Sequence, residues 1–121
     1  MWILLNDAMF SIVEDRQDRT RVVVRARFEG DLEKVFPAYA ENVIVQDISD
    51  YRFRIFADRD YVKEIVASEV ERIDYDNFKN SVADDERHNL YTKVWQIFFS
   101  AQESRYPRKN AKWWLNYRDH V

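Results

Sequence analysis

Arg21, Arg25, Arg27, Arg52 and Arg54 stand at alternating positions of two β-prone runs, 21–28 and 51–57. A guanidinium is planar, always charged and carries its donors in a rigid fork, which suits phosphate or carboxylate recognition. Alternate residues of an extended strand share a face, so if the two runs are neighbours, all five arginines crowd one side of a sheet. Phe56 and Tyr51 would then lie near the rim of that face. Sheet platforms of this kind bind nucleic acid by stacking bases on aromatics and holding phosphates with arginine. The ordinary alternative is a solvated charged face, with Glu14, Asp15 and Glu29 pairing across strands for about 0.2–1 kcal/mol per pair. No RNP-like Gly/aromatic motif accompanies the arginines.

The second candidate is the end of the chain. Arg105, Arg108, Lys109, Lys112 and Arg118 against Asp119 give residues 104–121 a charge of +4, which leaves −7 for residues 1–103. In this tail Trp113, Trp114 and Tyr117 join Arg108 and Lys112, and Trp and Arg dominate interface hot spots because they bury large area while keeping a polar handle. The partner-binding set predicted here is Trp113, Trp114, Tyr117, Arg108 and Lys112, with the alternative that the tryptophans fold back to close the core.

Catalytic chemistry finds little to work with. The histidines are His88 and His120, and His88 with Asp74, Asp76 or Asp85 lacks the paired nucleophile and base or the converging ligands that catalysis or a metal requires. Phosphate-loop, GxSxG, HExxH and zinc patterns do not occur, and with no cysteine there is no disulfide or thiolate ligand. No catalytic residue, metal or cofactor is predicted.

These residues need elements to position them. One helix is expected over 58–74, with Tyr61, Ile65, Val66, Val70 and Ile73 on its apolar stripe and Asp58 or Asp60 at its start. A second opens near Asp84 and Asp85 and carries Leu90, Tyr91, Val94, Trp95, Phe98 and Ala101, an arc wide enough to predict the central core helix. Residues 2–5 and 9–13 read as a hairpin about Asn6, Asp7 and Ala8, and 21–28 as a half-buried strand with Val22, Val24, Ala26 and Phe28 inward. A short helix follows Gly30 and Asp31 and stops at Pro37, and strands over 43–46 and 51–57 flank a turn. Tyr51, Phe53 and Ile55 are assigned one face of the last strand, and Arg52, Arg54 and Phe56 the other.

The predicted fold is α+β: an antiparallel sheet of four or five strands with one short and two longer helices on one face, in the order β-β-β-α-β-β-α-α. Residues 1–103 form one domain and 104–121 the tail. The N-terminal apolar run has neither a basic flank nor a cleavage site, and no stretch reaches the ~20 apolar residues of a membrane span, so a cytoplasmic protein is expected.

VRAR at 24–27, IDYDNFKNSV at 73–82 and the spacing of His88, Tyr91, Val94 and Trp95 together resemble a family of small bacterial and phage proteins of no known activity, over roughly residues 1–100. The resemblance implies a small intracellular bacterial or phage-borne protein and lends no site. The expectation is a non-enzymatic protein-binding module, a regulator or an inhibitor of a host protein of the kind mobile elements encode. The alternative is a nucleic-acid binder using the arginine face and the tail; a homodimer is compatible with either.

Overall fold

The computed structural model describes residues 1–108. They fall into two compact units, the first spanning Met1–Ile73 and the second beginning at Asp74. The predicted tail residues Lys112, Trp113, Trp114 and Tyr117 lie outside the described residues.

The first unit is a five-stranded sheet with helices. Its strands are β1 (Trp2–Leu4), β2 (Met9–Glu14), β3 (Arg21–Ala26), β4 (Ile44–Val45) and β5 (Phe53–Asp58). They lie in the order β1-β2-β3-β5-β4, and every neighbouring pair is antiparallel. The helices are α1 (Asp31–Val35) and α2 (Arg59–Glu71), with a 3-10 segment at Pro37–Asn42. The predicted α+β fold is borne out and its element order broadly so, the 3-10 segment and one short helix of the second unit being additional. The hairpin after β1 closes through the Leu5 N–H donating to the Ala8 carbonyl at 2.7 Å.

Alternation in the strands decides where the core sits. Phe10 and Ile12 of β2, Val22, Val24 and Ala26 of β3, and Phe53, Ile55 and Ala57 of β5 cluster with Leu32, Val35 and Phe36 at α1 and Val62 of α2. Phe10 and Phe36 meet edge to face with centroids 5.2 Å apart. Burying so many branched and aromatic side chains, at roughly 1.5–3 kcal/mol each, is the main source of the unit's stability.

Local chemistry places the helices. Gly30 takes φ 92°, the left-handed conformation that a glycine adopts without a Cβ penalty, and turns the chain from β3 into α1. The buried Asp31 carboxylate accepts the Met9 N–H at 3.0 Å, tying the start of α1 to the start of β2. Asp58, and not Asp60, caps α2, accepting the N–H groups of Asp60 at 2.8 Å and Tyr61 at 3.4 Å. Tyr61, Ile65 and Val66 pack on the core as expected, whereas Val70 (64% exposed) and Ile73 (51% exposed) stay largely open.

The second unit holds α3 (Phe78–Ser81) and α4 (Asp85–Arg105). Asn77 caps α3 by accepting the Asn80 N–H at 3.0 Å, and Asp84 caps α4 by accepting the Arg87 N–H at 2.8 Å. Phe78 stacks on Tyr91 at 5.7 Å, so the aromatic connection predicted between the long helices contains a helical turn of its own. The expectation that the last helix forms the central core is not met. Tyr91 is the buried residue of α4, and the core cluster takes its helical members from α1 and α2 of the first unit.

Candidate functional site

The second face of the sheet is built by the residues between the core positions. Direct cross-strand partners set one row across all five strands: Trp2 opposite Ser11, Ser11 opposite Arg25, Arg25 opposite Arg54, and Arg54 opposite Ile44. With strands ~4.8 Å apart, Trp2 stands about 10 Å from Arg25 along this row. Trp2 is 68% exposed, whereas Ser11 is buried.

The five predicted arginines divide by their partners. Arg21 donates to the buried Asp15 carboxylate at 2.9 Å, and its Nε lies 3.4 Å from Asp18 Oδ2, an ion-pair distance without hydrogen-bond geometry. Arg52 pairs with Asp47 at 3.0 Å across the turn between β4 and β5. Arg25, Arg27 and Arg54 have no carboxylate within ion-pair distance among the described residues. Arg25 instead donates to Ser11 Oγ at 3.0 Å, and Arg54 to Ser49 Oγ at 2.6 Å. The Nε–H groups of Arg25 and Arg54 are shielded and face no acceptor.

Tyr51 is the hub of this set. The Arg25 guanidinium lies 4.3 Å and the Arg27 guanidinium 3.9 Å from its ring centre, close cation–π contacts of about 0.5–2 kcal/mol each. Its position corrects the predicted parity, which put it with Phe53 and Ile55. β5 begins at Phe53, the backbone bends at Tyr51 and Arg52, and the strict alternation of a strand does not reach back that far. Tyr51 is only 4% exposed, so it serves as the floor of the face and not its rim. Burial pushes its hydroxyl up, but the hydrogen-bonding groups of Arg27 and Ser11, the Arg27 charge and the hydrogen-bonding group of Trp2 outweigh it, holding the phenol below its ordinary 10.0. Each of those groups would stabilise negative charge at that spot.

The structure thus brings together Arg25, Arg27 and Arg54 and sets Arg21 and Arg52 apart as paired flanks. Sequence reasoning missed Trp2, Ser11 and Ser49. Ser11 carried a signal, since it alternates with the apolar Phe10 and Ile12, but its meeting with Arg25 depends on a register that no local pattern reveals. Of the tail set, Arg108 is described, and its Nε lies 3.0 Å from Glu103 Oε1. His88 lies in the first turns of α4, where its carbonyl accepts the Thr92 hydroxyl at 2.9 Å. Among the described residues no three His, Cys, Asp or Glu side chains group as metal ligands, and no helix is long and apolar enough to cross a membrane. Comparison of the chain with protein families, curated proteins and solved structures finds no match.

Proposed function

We propose that the chain is a non-enzymatic nucleic-acid-binding protein that lays a single strand across the second face of its sheet. Arg25, Arg27 and Arg54 hold phosphates, and the exposed Trp2, in the same cross-strand row, stacks on a base. The observation that carries this reading is the division of the arginines. Aspartates neutralise Arg21 and Arg52, but among the described residues no carboxylate pairs with the three central guanidiniums, two of which are directly opposed. Like charges opposite one another in a ladder are destabilising, and an anion bound between them relieves that cost.

An acidic protein surface is the second reading for the same triad. The burial of Tyr51 favours it, because a ring covered by guanidiniums is closed to bases. On this reading the chain is a protein-binding regulator or a mobile-element-encoded inhibitor. Fluorescence anisotropy with a labelled single-stranded oligonucleotide separates the two. Nucleic-acid binding predicts a log–log salt slope of about −2, from three neutralised phosphates at ~0.7 each, and loss of binding in Arg25→Glu/Arg54→Glu. No binding at low salt, or binding unchanged by the double substitution, overturns the nucleic-acid reading. A nuclease-resistant protein captured by the wild type and lost by that variant supports the second.

A further inference from the structure

We infer that α4 is a dimerisation helix that pairs antiparallel with α4 of a second copy of this chain. One side of α4 is engaged within its own unit, where Tyr91 stacks on Phe78 of α3, and Trp95 and Phe99 continue that side by stacking on each other at 5.1 Å with rings nearly parallel. A different stripe is apolar and open. Leu90 is 38%, Val94 40%, Ile97 69% and Phe98 73% exposed, and Ala101 continues the three- and four-residue spacing. Such a stripe on a helix of 21 residues, about 32 Å long, is the pattern a partner helix covers.

The ends of the stripe identify the partner. Extended by four residues at each end it meets Glu86 and Arg105, both exposed and neither in an ion pair among the described residues. A two-fold axis between residues 95 and 96 sets Glu86 opposite Arg105 of the second copy, Leu90 opposite Ala101, and Val94 opposite Ile97, with Phe98 one position along from the Val94 register. The stripe is self-complementary in that orientation, as a two-fold interface must be. A parallel pair would stack Glu86 on Glu86 and Arg105 on Arg105. The small Ala101 facing Leu90 lets the backbones approach, and packing at about +20° keeps the seam continuous.

Sedimentation of the full chain over a concentration series tests the inference. The wild type is expected to be dimeric, and Ile97→Glu and Phe98→Glu monomeric with unchanged helical circular dichroism. Glu86→Arg turns two ion pairs repulsive and is expected to weaken the dimer about tenfold, while Glu86→Arg/Arg105→Glu restores it. The chain lacks cysteine, so Leu90→Cys mixed with Ala101→Cys reports orientation: a disulfide between the two variants in preference to either alone marks the antiparallel pair. A wild type that stays monomeric assigns the stripe to another occupant and overturns the inference. So does a dimer indifferent to Ile97→Glu and Phe98→Glu, or a double charge swap as weak as the single one.

Discussion

Arg25 and Arg54 face each other across the β3–β5 ladder, and the strand chemistry around them is neutral, so their charges are softened by Ser11, Ser49 and the Tyr51 ring. The Tyr51 hydroxyl beside them reports the charge and hydrogen-bonding groups of Arg27, with those of Ser11 and Trp2. Because its folded pKa lies below the ordinary 10.0, the phenolate is favoured in the folded state. The stability this supplies is complete above the unfolded value and is lost as pH falls through the lowered folded one. Relative to Tyr51→Phe, the wild type should therefore gain stability as pH rises through the alkaline range toward 10. Phenolate absorbance should show one of the seven tyrosines ionising early, and that step should vanish in Tyr51→Phe. An early step that persists in the variant belongs to another tyrosine and refutes the assignment. The shared side of Arg21, Arg25 and Arg54 was legible from alternation, whereas Arg27 and Arg52 lie just beyond β3 and β5, where alternation does not apply. Which of them would be neutralised was not, because Asp15, Asp18 and Asp47 act from turns, where parity says nothing.

At the scale of the element, caps and turns carry the chain between its regular pieces. Asp58 ends β5 and caps α2 in one residue, so replacing it should loosen both. Asp58→Ala is expected to cost about 1 kcal/mol and to lower the thermal midpoint by about 4 °C, followed by circular dichroism. Asp60→Ala should cost less, since among the described residues the Asp60 carboxylate makes one exposed contact, with Lys63 at 3.4 Å. Equal losses in the two variants would place the cap wrongly. Helix positions were readable from the three- and four-residue spacing, and strand positions from alternation. The partner of each apolar stripe was not: a wide arc on α4 suggests centrality, yet width alone does not say whether the cover comes from the same chain.

For the whole molecule, the core cluster and the side chains packed around it all belong to residues 3–66. A fragment of residues 1–73 should therefore fold by itself, with strand-rich circular dichroism and dispersed amide resonances. A random-coil spectrum would show that the sheet depends on the second unit. The α+β class was legible because each strand carries one apolar face, whereas the division at residue 73 was not, since the linking stretch is as aromatic as the elements it joins. The sheet also ends in a strand of three residues on one side and of two on the other. Edges that short offer a neighbouring sheet few backbone groups to pair with, which is a structural guard against edge-to-edge growth. Concentrated protein should accordingly resist fibril formation and remain dispersed, even though Trp2 is exposed at one of those edges.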